Sequence, residues 1–260
     1  MNEIPEGLVC RHEDEDLLVL EKPAGLLCVP GRGHDKQDCL SARALRRWPD
    51  ALVVHRLDQA TSGLVVMARG LHSQRLLSQA FAQRQVEKRY AAVVAGRLDP
   101  LAGQVSLPAA SLPYFAEQAR PEPAPRRGMA RPPEGRIPAD PVPAGWQVVD
   151  LPIAADWERR PLRIIDARLG KPSRTLWQAV AQETWNSHAC TRVLLSPVTG
   201  RTHQLRVHMA ALGHPILGDA LYGDENSSGW APRLLLHACH LALRHPGTQE
   251  LLHFESPAPF

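Results

Sequence analysis

The chain has 260 residues, 44% hydrophobic and 22% charged, enough for one large domain with a real core. Lys and Arg total 30 against 27 Asp and Glu, a net charge of +3 that permits a polyanionic partner without demanding one. Five scattered cysteines without a CxxC pair argue against structural zinc and a disulfide framework, and fit a reducing compartment. The acidic start, MNEIPEGLVCRHEDEDLLVLEKP, lacks the cationic and apolar blocks of a secretory signal, and no apolar run is long enough to cross a bilayer. The expectation is a cytoplasmic, metal-free protein.

In chain order, Leu17 to Leu20 is an apolar strand ending at Lys22-Pro23, with a turn at Ala24-Gly25. Leu52 to Val54 and Leu64 to Met67 are further strands. Between them HRLDQATSG, residues 55 to 63, carries too much turn chemistry to be strand throughout. Ser73 to Gln85 reads as a helix, with Leu76, Leu77, Ala80 and Phe81 on one face, and Tyr90 to Val94 as a strand stopping at Gly96.

Residues 104 to 146 differ in kind, holding ten of the 24 prolines. Each proline removes a backbone donor and restrains its predecessor, so the segment reads as an irregular insertion. Its Arg126, Arg127, Arg131 and Arg136 could meet phosphates or simply keep a loop solvated. Beyond Val148 the chain is β-rich again, with strands at Trp177 to Val180 and Thr191 to Leu195. Thr202 to Leu212 has helical spacing and Gly213 is placed to end it. Leu241 to Leu243 and Leu251 to Phe254, separated by HPGTQ, suggest a C-terminal hairpin. No GxGxxG, GxxxxGK[ST] or GxSxG occurs, which removes dinucleotide, nucleoside-triphosphate and serine-hydrolase chemistry.

Three clusters carry candidate chemistry. HRLDQATSG can present Asp58 from a rigid loop, or be a turn in which Asp58, Thr61 and Ser62 cap backbone amides. In GRTHQLRVH, residues 200 to 208, His203 and His208 are five apart and do not share a helix face as zinc ligands would. His208 alternatively reads as a core residue and Arg206 as a solvated one. Tyr90 of EKRY reads as a half-buried core residue or a site residue. Asp166, Asp219 or Asp224 could pair with Asp58 in glycoside-bond hydrolysis.

The order HRLD-x-x-TSG, K-x-Y, GRTHQLRVH and GHPILGD, with EKPAGLLCVPGR before and PRLLLHACHLAL and FESPAPF after, resembles the RluA family of pseudouridine synthases. The likeness spans the chain apart from the insertion and begins near residue 12, so no S4 RNA-binding domain is expected. It implies one α+β catalytic domain over 1–260, built on a mainly antiparallel sheet and interrupted at about 104–146. It also implies a cofactor-independent, monomeric enzyme acting on RNA. GLLCVPGR and APRLLLHA are most similar to the family's dual-specificity subgroup, acting on tRNA anticodon stem-loops and large-subunit rRNA.

By the same resemblance, Asp58 is the catalytic aspartate, and Arg56 fills the space that the target base leaves in the RNA stack. Tyr90 packs on the flipped uracil, Arg201 pairs with the catalytic carboxylate and Leu205 lines an apolar pocket. His55, Thr61, His203 and Arg206, in the same motifs, fall to base or RNA binding. Two other functions fit the residues. An RNA-folding factor on this fold would keep its effect in Asp58→Asn, and a nucleoside hydrolase would release free uracil.

Overall fold

The computed structural model describes residues 8–98, 142–225 and 227–260. The proline-rich insertion, with its four arginines, lies outside the described residues as far as 141. The first half contains β1 (Val9–Glu13), β2 (Leu17–Lys22), α1 (Leu40–Arg47), β3 (Ala51–Val53), β4 (Ser62–Arg69), α2 (Gly70–Ala82) and β5 (Glu87–Ala95). The second contains β6 (Gln147–Asp150), β7 (Ile153–Ala155), β8 (Arg163–Ile165), β9 (Arg174–Trp185), β10 (His188–Pro197), α3 (Gln204–Ala211), β11 (Leu236–Arg244) and β12 (Leu251–Glu255).

Ten strands form one mixed sheet along β1-β2-β4-β11-β5-β10-β9-β6, with β3 joining β4 and β12 joining β11; β7 and β8 make a separate ribbon. Among the described strands the pairing is antiparallel except between β4 and β11, which meet in parallel at His237↔Ser62 and Ala238↔Gly63. This is the α+β arrangement the sequence implied, and its C-terminal hairpin pairs Leu241 with Phe254.

The central strands are apolar on both faces because both faces are covered. Leu18↔Met67 and Leu20↔Val65 point into one core with Leu40, Ala44 and Trp48. Leu17↔Ala68 and Val19↔Val66 point into another with Leu77, Leu241 and Leu243. A third core joins β5, β9, β10 and α3 through Val93, Trp177, Val193, Leu205 and Met209. Leu77, the fully buried anchor of α2, holds that helix to the sheet, and its truncation to Ala should cost about 2–5 kcal/mol.

Two boundaries differ from the periodicity. α2 starts at Gly70 and stops at Ala82, three residues earlier than the expected Gln85, because Arg84 turns left-handed at φ 60°. α1, which the periodicity missed, is capped by a thiol: Cys39 Sγ accepts from Ala42 N–H at 3.4 Å. Trp48-Pro49 ends it, since the residue before proline avoids helical geometry. No described helix is long and apolar enough to cross a membrane.

Candidate active site

The loop between β3 and β4 carries Asp58 and is pinned along its length. His55 Nε2 accepts from Val66 N–H at 3.0 Å, and its ring stacks on Phe81 at 4.4 Å. Burial and the nearby Lys88 pull the His55 pKa down to about 3, so the ring stays neutral and can accept that bond. Leu57 N–H donates to Cys28 Sγ at 3.1 Å. On the far side of Asp58, the Gln59 carbonyl accepts from Gly25 N–H at 2.8 Å and from Lys22 Nζ at 3.0 Å. Lys22 is fully buried, and its other two protons go to Pro23 O at 2.8 Å and Leu26 O at 2.7 Å. All three donors of the ammonium are thereby satisfied.

Asp58 is thus held by its backbone while its carboxylate is left free. No hydrogen bond reaches that carboxylate among the described residues, so the amide-capping turn is not formed; Ser62 Oγ instead meets His237 Nδ1 at 2.9 Å. Two cationic or polar groups flank it at longer range, Arg206 Nη1 at 3.9 Å from Oδ2 and His203 Nε2 at 4.0 Å from Oδ1.

Arg206 is the third residue of α3, and its side chain is only 5% exposed rather than solvated. Its guanidinium grips Asp219 bidentately at 2.8 and 2.5 Å and lies 5.1 Å from the Tyr222 ring. Asp219 Oδ1 also accepts from Leu221 N–H at 2.9 Å and Tyr222 N–H at 3.1 Å, which fixes the turn after GHPILGD. Burial alone would lower the Arg206 pKa, but Asp219 and Asp58 outweigh it and raise the value.

The expected partnership of Arg201 with the carboxylate is corrected here. Arg201 sits in the turn before α3 and reaches Pro172 O at 3.4 Å from Nε and 3.3 Å from Nη2. The chain turns at His203, which adopts φ 56° and ψ 16°; before the turn Arg201 is half-buried on the cleft wall, and after it Arg206 is buried beside Asp58. Nor do paired carboxylates occur at the site among the described residues. Arg206 stands between Asp58 and Asp219, while Asp166 accepts from Arg168 and Leu169 N–H and Asp224 from Ser227 N–H.

His203 is anchored through Tyr222. Tyr222 Oη accepts from Arg163 N–H at 2.8 Å and lies 2.7 Å from His203 Nδ1. Burial raises the phenol pKa, and the other ring nitrogen, Nε2, faces Asp58 Oδ1 at 4.0 Å. His208 is a core residue: Nε2 donates to Leu151 O at 3.0 Å and Nδ1 accepts from Thr175 Oγ1 at 2.9 Å.

These groups share a cleft of about 1080 Å³, lined also by Arg56, Thr61, Tyr90 and Leu205. Tyr90 joins the edges of two cores, and burial, then the Asp58 charge, pushes its phenol above the ordinary range. Arg56 is exposed at the rim. The motifs did not point to Gln204, whose amide bonds Arg174 O at 2.9 Å and Thr175 Oγ1 at 3.0 Å while its oxygen takes Thr199 Oγ1 at 2.6 Å. Nor did they point to Tyr222 or Lys22 as supports.

Residues 16–211 match the family model described as RNA pseudouridylate synthase. The chain is 37% identical over 253 residues to the Escherichia coli (strain K12) "Dual-specificity RNA pseudouridine synthase RluA", covering 97% of this chain and 94% of the relative. The Yersinia pestis protein of the same description is 34% identical, with 97% and 100% covered. The solved structure of human RNA Pseudouridylate Synthase Domain Containing 1 superposes with a TM-score of 0.69 at 25% identity, over 100% of this chain and 86% of that one. With both sequence and fold in agreement, the chain belongs to the RluA family of RNA pseudouridine synthases.

Proposed function

We propose that Asp58 is the carboxylate that carries the isomerisation of uridine to pseudouridine, and that it acts on a loop uridine presented by a tRNA anticodon arm or by large-subunit rRNA. The observation that supports it best is the state of Asp58: a carboxylate in the cleft, rigidly mounted, flanked at 3.9 and 4.0 Å and accepting no hydrogen bond among the described residues. Glu87, the other acid lining the cleft, is held by Arg89 at 2.5 Å.

In the reaction the N1–C1′ bond breaks, C5–C1′ forms, C5 loses a proton and N1 gains one, so no redox partner enters. The Asp58 carboxylate meets the electron-poor centre, and Arg206, 3.9 Å away, helps to aim it. The uridine must leave its stack, at a cost of a few kcal/mol. Arg56, exposed at the rim, offers a planar cation to occupy the gap, and Tyr90 offers a neutral ring against which the base rests. A loop base needs less extrusion than a paired one, which favours stem-loop substrates. The dual specificity in the name of the bacterial relatives supports action on more than one RNA.

The test is a comparison of parent and Asp58→Asn proteins on a short anticodon-type stem-loop under single-turnover conditions. Asp58→Asn should bind the RNA with nearly parental affinity and form no pseudouridine. Product above a trace from the folded, pure variant would refute the assignment.

A further inference from the structure

Two helices end on the same backbone device. After α3, Gly213 stands at φ 81°, with its N–H on Ala210 O at 2.9 Å and His214 N–H on Met209 O at 3.0 Å. After α2, Arg84 stands at φ 60°, with its N–H on Phe81 O at 3.2 Å and Gln85 N–H on Ala80 O at 2.9 Å. This left-handed closing position is normally glycine, because a Cβ crowds the neighbouring carbonyl. α2 places an arginine there instead. Its side chain lines the cleft, and among the described residues it makes no hydrogen bond or ion pair that would offset the strained backbone.

Lys88, four residues on in β5, brings a second charge to the same wall. Its Nζ lies 5.9 Å from the Phe81 ring centroid, and among the described residues no carboxylate or hydrogen-bond acceptor meets it. The neighbouring Glu87 is taken by Arg89 at 2.5 Å and lies 3.8 Å from His240. Burial, with the charge of Arg84, lowers the Lys88 pKa, as expected for an ammonium whose counter-ion is not supplied by the protein. The cleft's other buried cation, Arg206, is bound to Asp219, and Arg201 is bound to Pro172 O. Two free like charges on one wall repel each other, and an anion brought by the ligand would relieve both.

We propose that Arg84 and Lys88 form a phosphodiester-binding subsite on the α2–β5 wall of the cleft, gripping the RNA backbone beside the uridine that enters toward Asp58. The arginine offers a planar fork to two phosphate oxygens and the lysine a point charge, a pairing suited to one linkage. This rests on RNA as the substrate, and it is tested by binding rather than turnover, so that failure of the Asp58 assignment is read separately.

The experiment measures stem-loop affinity against salt for the full chain and for Arg84→Gly, Arg84→Gln and Lys88→Gln. For each phosphate that a variant no longer neutralises on a single strand, the salt slope should drop by about 0.7, and affinity should fall several-fold. Arg84→Gly, which relieves the backbone, should melt at or above the parent temperature while binding RNA more weakly. Stem-loops carrying a neutral methylphosphonate at single linkages near the uridine locate the bound phosphate. One such linkage should weaken the parent and have no further effect in Lys88→Gln. Folded variants with parental slope and affinity would overturn the subsite. So would losses additive with every methylphosphonate, or a slowed rate at saturating RNA with unchanged binding. Turnover by Asp58→Asn would count against the catalytic assignment alone.

Discussion

Arg206 is shared unequally between two carboxylates, clamping Asp219 at 2.5 and 2.8 Å and standing 3.9 Å from Asp58. The clamp satisfies the buried guanidinium without consuming the carboxylate that faces the cleft. Asp219 therefore sets where Arg206 points, and Arg206 sets the field at Asp58.

Removing that clamp should damage both stability and rate. Asp219→Asn leaves a buried arginine with a neutral partner, a change worth about 3 kcal/mol and a fall in Tm on the order of 10 °C. Arg206 would then close on Asp58, and the single-turnover rate should drop more than RNA affinity does. Arg206→Lys, which loses the two-pronged geometry, should lose about 100-fold in rate, whereas Arg201→Ala should stay within a few-fold. Equal losses in the two arginine variants, measured at saturating RNA, would restore Arg201 as the partner.

Tyr222 and His203 make a separate prediction, on pH. Burial holds the His203 pKa below its ordinary value; Asp58 and Asp219 oppose this, and Arg206 and Arg163 add to it. The ring is therefore neutral at pH 7. As pH falls below the ordinary imidazole range it protonates, placing a cation 4.0 Å from Asp58 Oδ1 and drawing the carboxylate into an ion pair. The single-turnover rate should decline on that side. His203→Gln should remove the His203 part of the decline, and Tyr222→Phe, which removes the hydrogen bond to His203 Nδ1, should lower kcat about tenfold with little change in KM. Superimposable pH profiles for parent and His203→Gln would exclude this arrangement.

The sequence showed most clearly those elements whose pattern is local. The strand at Leu17 to Leu20, the helix under Leu76 and Leu77 and the hairpin at Leu241 and Leu251 follow from apolar spacing and turn residues. α1 did not, since its buried face is only Leu40, Ser41 and Ala44 and its cap is Cys39 rather than Ser or Asp. The motifs located the site, but spacing could not rank Arg201 against Arg206. That choice depends on the left-handed turn at His203, whose ring is bonded to Tyr222, 19 residues on. Asp219 was visible as a carboxylate, and its partner was not.

Acid stability should expose the buried imidazoles. Burial pulls His208 down to about 4 and His55 down to about 3, while both titrate near 6.5 in the unfolded chain. Between those values the unfolded chain binds more protons, so stability rises with pH, is complete above about 6.5 and is lost as pH falls toward the folded values. His208 alone should account for about 2 kcal/mol between pH 7 and pH 5. Urea unfolding at the two pH values measures it. His208→Gln can still donate to Leu151 O and accept from Thr175, and it should flatten the dependence; an unchanged slope would mean that His208 is protonated in the fold.

Gly63 is where the Asp58 loop enters β4 and meets β11. It stands at φ 116°, and a Cβ there would overlap Ala238 O and lie 2.5 Å from Ala238 N. Both are backbone atoms in the parallel junction with β11, so no side-chain rotation can make room. Gly63→Ala should therefore push the strands apart, lose about 3 kcal/mol or more and weaken activity by moving the loop that carries Asp58. Gly213 supplies the control. It has a comparable φ of 81°, but a Cβ added there would meet nothing within 4 Å, so Gly213→Ala should carry only the left-handed penalty of about 1–2 kcal/mol. Thermal melts of the two variants should place Gly63→Ala well below Gly213→Ala. Equal melting temperatures would show that the β4–β11 junction yields without cost, and that the loop is positioned by its Lys22, Cys28 and Val66 contacts alone.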